Sequence, residues 1–296
     1  MLRWRLIGTV AIIGPLLLLL WLDDQRNYGH PGCWFGALLI AAALACSLEL
    51  ASLLKNKCAS LRLPVVALAV TTSTLITFIP AVWPNNKPDC PMGDWGWLPL
   101  GLAAATAIIL CDELRRFKPG EGATERITMS IFCVAYIAIP FGYMIRLRLT
   151  PPDRLGLMAF ISVPFIVKFA DAGAYFCGRF LGKNKMAPIL SPKKTWEGGV
   201  GGIVTALISG LVYMYLIVPH LVTGTSPKFL GTVGVALAIA VTGMIGDLAI
   251  SLFKRDVDQK DSANWLPGLG GCLDVLDSVL WAAPVAYVFW AAEWVV

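Results

Sequence analysis

Long apolar runs alternate with short polar clusters along the whole chain, and the clusters are rich in Lys, Arg, Asp, Pro and Gly. A helix needs about 20 apolar residues to cross the hydrocarbon of a bilayer. Walking from cluster to cluster therefore predicts nine spans, at about 6–22, 33–54, 64–84, 97–111, 127–145, 155–177, 199–219, 229–250 and 273–294. The ten-residue alternation that builds a membrane barrel is not seen. The expected fold class is all-α, a polytopic integral membrane protein of about nine transmembrane helices. The first run is flanked by Arg3 and Arg5, as a signal peptide would be. It ends at Asp23 and Asp24 without a small-residue cleavage site, and is read as a span.

Composition sharpens this reading. Of the 296 residues, 57% are hydrophobic and 15% charged, with a mean hydropathy of +0.71, which excludes an ordinary cytosolic enzyme. With the N-terminus in the cytoplasm, the inner connections hold 17 Lys and Arg and the outer ones 6. That asymmetry puts the N-terminus inside and the C-terminus outside. A basic inner face lying against anionic lipid accounts for the net charge of +5 without nucleic acid. The eight cysteines form no C-x-x-C and fall mostly within apolar runs, so they are read as small apolar residues. His30 and His220, in short connections, lack the neighbouring donors that a metal site needs.

The chain is expected to form one membrane domain whose two stretches differ in character. Residues 1–150 carry few ionisable groups within their spans, whereas in 151–296 charges enter the apolar segments themselves. Lys168 and Asp171 lie at i and i+3 in one span, Asp247 lies near the end of another, and Asp274 and Asp277 open the last. Each would cost on the order of 3 kcal/mol unpaired at mid-membrane, so these side chains should face one another or a wet cavity. Internal ion pairs or snorkelling end residues would account for some of them. Four acids against one intramembrane lysine still leave excess negative charge, which calls for a hard cation such as magnesium carrying phosphate oxygens and water.

The intervening connections supply cations. Gly178 to Lys185 contains Arg179, Lys183 and Lys185, and Ser191-Pro192-Lys193-Lys194-Thr195-Trp196-Glu197-Gly198-Gly199 leads into a glycine-rich helix start. Such a start can offer backbone N–H groups to phosphate, with the lysines as point charges. The next connection mixes Ser251, Lys254, Arg255, Asp256, Lys260 and Asp261 before Pro267-Gly268-Leu269-Gly270-Gly271.

The run from Ser251 to Ser278 resembles the signature of the CDP-diacylglycerol synthases, also called phosphatidate cytidylyltransferases. Asp171-Ala172-Gly173-Ala174-Tyr175 and Ser191 to Gly198 resemble that family's other recurring stretches, in the same order. The resemblance implies a fold of several transmembrane helices, with the phosphate of phosphatidic acid attacking the α-phosphorus of CTP to give CDP-diacylglycerol and pyrophosphate. It implies Mg2+ as cofactor, with a monovalent cation such as K+, and Asp274, Asp277 and Asp247 around the metal. Asp247, Lys254, Arg255, Lys260 and Asp261 would carry catalysis. Asp171, Ser191, Lys193, Lys194 and Ser251 would bind substrate. The expected setting is a bacterial inner or plasma membrane, and a homodimer is compatible with it.

Two positions depart from the family pattern: Leu269 stands where histidine is usual and Val275 where arginine is usual. A variant that compensates elsewhere, an altered lipid substrate and a catalytically weakened paralogue are the consequences considered. Two other classes compete. An ion-coupled membrane transporter would also carry buried Asp and Lys, and a CDP-alcohol phosphatidyltransferase would also use aspartates, but its D-G-x-x-A-R arrangement is absent.

Overall fold

The protein is seen in a computed structural model in which residues 14–15, 18–25, 30, 32–83, 92–93, 96–151, 153–263, 265 and 270–296 are described. Most of the span expected at 6–22 lies outside the described residues, although 18–25 are helical. Arg3, Arg5, Arg26, Lys87, Cys90, Pro267, Gly268 and Leu269 also lie outside them. Among the described residues, eight helices are long and apolar enough to cross a membrane. They coincide with the other eight expected spans to within a few residues at each end.

The chain forms two compact units, Met1–Ile145 with Asp256–Val275, and Arg146–Arg255 with Leu276–Val296. Sequence places the change of character at about 150; the chain passes from the first unit to the second between 145 and 146 and revisits the first at 256–275.

The first unit contains α1 (Cys33–Lys55), α2 (Leu63–Val82), α3 (Trp97–Arg116) and most of α4 (Ala123–Arg148). Pro in the first turn of α2 costs no hydrogen bond, because that N–H has no intrahelical partner anyway. α2 and α3 approach closely at Gly101, where a Cβ would lie 2.6 Å from the Ser73 carbonyl oxygen. Polar clusters at the helix ends are cross-linked rather than free. Arg62 Nη1 pairs with Asp112 Oδ1 at 2.6 Å, Arg116 Nη2 reaches Asp112 Oδ2 at 2.9 Å, and Arg126 pairs with buried Glu113.

The second unit contains α5 (Asp153–Phe180), the strands β1 (Lys185–Ala187) and β2 (Ser191–Thr195), α6 (Trp196–Val212), a π-helical turn at Tyr213–Ile217, the short α7 (Val218–Leu221), α8 (Phe229–Asp256) and α9 from Leu276 onward. α9 as a whole runs Cys272–Ala291. Small residues let backbones approach where no water drives association. Gly198, Gly201 and Gly202 of α6 face Ala170, Gly173, Ala174 and Cys177 of α5, and a Cβ at Gly201 would overlap the Cys177 side chain. Widening at the π-turn accompanies Tyr213, whose buried hydroxyl donates to the Met158 carbonyl at 2.7 Å.

Candidate functional site

The C-terminal end of α8 meets the segment that follows α5 at one end of the second unit, where Arg255 Nε donates to the Leu190 carbonyl at 3.3 Å. The hairpin of β1 and β2 follows α5 directly at that end. Lys168 and Asp171 of α5 form an ion pair of 3.6 Å. Lys194 of β2 reaches Asp247 of α8, with Nζ 2.6 Å from Oδ2. Asp277 of α9 is 8% exposed, and its Oδ1 accepts from the Ser278 N–H at 2.6 Å and the Ser278 hydroxyl at 3.1 Å. α8 and α9 touch beside it: a Cβ at Gly246 would lie 2.5 Å from the Asp277 carbonyl oxygen. Asp277 interacts electrostatically with Asp247 and Lys168, and Asp171 does so with Asp247 and Lys194. Three acids and two lysines from four elements therefore form one charged cluster in an apolar helical unit. A narrow cleft beside it is lined by Asp171, Ala174, Gly202, Gly243 and Met244.

The hairpin that delivers Lys194 is held by local chemistry. β1 and β2 pair antiparallel, Lys185 opposite Thr195 and Ala187 opposite Ser191, with an irregularity between 185 and 187. The Thr195 hydroxyl caps α6 by accepting from the Gly198 N–H at 3.1 Å. Glu197 accepts from Asn184, at 3.2 Å from the backbone N–H and 2.8 Å from Nδ2, and the Trp196 N–H donates to the Asn184 carbonyl at 3.0 Å. From sequence, the glycine-rich start of α6 is expected to offer its amides to phosphate. Here the Trp196 and Gly198 amides are already bonded within the protein, and the buried glycines are used to seat α6 on α5. This motif delivers the lysines and does not itself form an open amide cradle.

The remaining expected residues divide between the units. Ser191 is half-buried and Lys193 exposed on β2. Ser251 and Lys254 are half-buried on the last turns of α8, and Arg255 is exposed, its Nε donating to the Leu190 carbonyl at 3.3 Å. Lys260, Asp261 and Asp274 belong to the first unit, where Lys260 and Asp261 are exposed. Asp274 Oδ2 accepts from the Ser262 N–H at 2.8 Å, the Ser262 hydroxyl at 2.9 Å and the Gly271 N–H at 3.0 Å. Among the described residues, no group of three or more His, Cys, Asp or Glu side chains converges as a metal cage would.

Glu49 is a further acid of the structure, outside the residues that the sequence singles out. This acid of α1 is 6% exposed and accepts four hydrogen bonds from the connection between α8 and α9 and from the start of α9. The signal was present in A-C-S-L-E-L-A, one carboxylate in an otherwise apolar span.

The Cytidylyltransferase family profile matches residues 3–292. The chain is 39% identical over 156 residues to a phosphatidate cytidylyltransferase of Haemophilus influenzae, covering 51% of this chain and 54% of the relative. It is 40% identical over 152 residues to one of Bacillus subtilis, covering 51% and 54%, and 30% identical over 218 residues to one of Chlamydia pneumoniae, covering 72% and 68%. The chain spans about half the length of the first two relatives.

Proposed function

We infer that this chain, which belongs to the cytidylyltransferase family, is a membrane-embedded CTP:phosphatidate cytidylyltransferase that makes CDP-diacylglycerol and pyrophosphate for phospholipid synthesis. The observation that carries the reading is the cluster of Lys168, Asp171, Lys194, Asp247 and Asp277 in the second unit. A site at the end of the helices lets a water-borne nucleotide meet a lipid whose tails stay in the bilayer. The family assignment does not favour an ion-coupled carrier.

In the proposed reaction a phosphate oxygen of phosphatidic acid forms a bond to the α-phosphorus of CTP. The bond from that phosphorus to the bridging oxygen of the β-phosphate breaks, and its electron pair leaves with pyrophosphate. A phosphate monoester is already a competent nucleophile, so the demands on the protein are in-line positioning and neutralisation of two approaching anions. Lys194, drawn against Asp247, is placed to exchange that carboxylate for a phosphate oxygen. Lys193, Lys254 and Arg255 add positive charge for the departing pyrophosphate, and Ser191 and Ser251 offer hydroxyl donors.

The family is consistent with a divalent metal, and we propose Mg2+, with K+ as an accompanying monovalent ion. Magnesium commonly takes one or two carboxylates and fills its shell with phosphate and water. Asp247 and Asp277, on α8 and α9 where the two helices pack at Gly246, would supply such a pair; Asp274 is the third aspartate that the resemblance names. When bound, the ion would offset charge on the CTP phosphates. The proposed orientation has the N-terminus and this end of the helices in the cytoplasm, and a homodimer stays part of the reading.

The test is pyrophosphate release from CTP by the solubilised chain. Release that requires both phosphatidic acid and Mg2+ is expected; release indifferent to phosphatidic acid, or none, contradicts the reading.

A further inference from the structure

We propose that Glu49 is a positioning residue that fixes the carboxylate of Asp274 through Ser262, so that α1 sets how tightly Asp274 holds a metal. The proposal rests on the reading of Asp274 as a metal-binding aspartate.

Glu49 is saturated. Its Oε1 accepts from Trp265 Nε1 at 2.6 Å and the Cys272 N–H at 2.8 Å, and its Oε2 accepts from the Ser262 hydroxyl at 2.8 Å and the Leu273 N–H at 2.9 Å. An ionised carboxylate has about four lone-pair sites; three of those of Glu49 face donors of its own, and the fourth faces the hydroxyl that Ser262 shares with Asp274. It acts as a holder. Two of its donors are the first amides of α9, which have no partner within the helix and carry the positive end of its dipole.

Ser262 links the holder to the candidate ligand, because its N–H and hydroxyl both lie on Asp274 Oδ2, at 2.8 and 2.9 Å. The hydroxyl has one proton and serves one carboxylate at a time, while the Ser262 and Gly271 amides hold Asp274 throughout. The packing leaves no slack. Gly270 has φ 88°, and a Cβ there would lie 2.5 Å from Asp274 Oδ2; one at Gly271 would overlap Glu49 and Ser262. Moving Glu49 therefore moves Ser262, the first turn of α9 and Asp274 together.

The test uses the full chain in lipid nanodiscs, with Glu49→Gln and Trp265→Phe. Glutamine keeps the size of the side chain but turns one acceptor into a donor facing donors; phenylalanine removes one bond of the four. Backbone hydrogen exchange is followed at Ser262, Gly271, Cys272 and Leu273, with residues 185–195 as control, while Mg2+ alone is titrated. In the parent chain added Mg2+ is expected to slow exchange at the start of α9. In Glu49→Gln the exchange is faster without metal, the Mg2+ needed for protection rises by about 10- to 100-fold, and the hairpin is unchanged. Trp265→Phe falls between the two. A parent chain that does not respond to Mg2+, or a Glu49→Gln titration that overlays the parent's, overturns the proposal. Loosened exchange with an unmoved Mg2+ response also overturns it, reducing Glu49 to a structural staple. Failure of the parent chain to transfer cytidylyl groups would instead count against the functional reading, because the exchange titration needs no turnover.

Discussion

Lys194 and Asp247 meet at 2.6 Å between a two-stranded hairpin and the last third of α8. The contact joins a cation delivered by S-P-K-K-T to an acid inside an apolar helix, and it is the most direct link between the two sequence motifs. Replacing Lys194 by Ala is expected to lower kcat/KM for CTP by roughly 10²- to 10³-fold, the usual cost of removing one preorganised charge from a transferring phosphoryl group. Lys194→Arg should recover part of the loss. Steady-state pyrophosphate release measures both, and parental kinetics in Lys194→Ala would remove this lysine from the site.

Neighbouring glycines of α6 should respond differently to alanine. At Gly199 the new methyl meets the flexible end of Met186, 2.6 Å from Cε, whereas at Gly201 it overlaps the Cys177 side chain close to the α5 backbone. Gly199→Ala is expected to be neutral or slightly stabilising, since alanine gains up to about 1 kcal/mol of helix propensity. Gly201→Ala should lose about 1–3 kcal/mol by overpacking. Thermal unfolding in one detergent compares them, and equal midpoints would contradict the described α5–α6 seat.

The structure explains which parts of this account are legible in sequence. Spans are visible because hydrocarbon admits only internally bonded backbone, so an apolar run of the right length fixes both element and extent; α1 (Cys33–Lys55) and α8 (Phe229–Asp256) start within a residue of expectation. The charges of the second unit are visible for the same reason, since Lys168, Asp171, Asp247 and Asp277 interrupt those runs. The hairpin is not visible, because S-P-K-K-T has the composition of a loop and its strand depends on Asn184 being held by Glu197. Nor is the role of Glu49, whose partner Ser262 is 213 residues away. The glycines after Trp196 misdirect the reading, because glycine serves amide exposure and close helix packing equally well.

Chelation gives a prediction about the cofactor. EDTA is expected to abolish CTP consumption, and Mg2+ to restore it with a steep preference over Ca2+, whose larger shell and flexible geometry suit a two-carboxylate site poorly. Full activity in EDTA-treated, metal-free buffer would contradict a metal held by Asp247 and Asp277.

Leu269 and Val275 stand where the resemblance leads one to expect a histidine and an arginine. The carboxylates and most of the cations persist, so the chain is expected to be active as it stands. The double variant Leu269→His with Val275→Arg should change kcat/KM by no more than about 100-fold, the worth of one charge-assisted hydrogen bond. An inactive parent rescued by the double variant would identify a weakened paralogue instead.

The most direct measurement is incorporation of radiolabelled CTP into chloroform-soluble lipid by the parent chain and by Asp277→Asn. Asp277 is buried and shares the charged cluster with Asp247 and Lys168. The account predicts label in lipid for the parent, dependent on phosphatidic acid, and a loss of at least about 10²-fold in the variant. Equal incorporation by the two would contradict it.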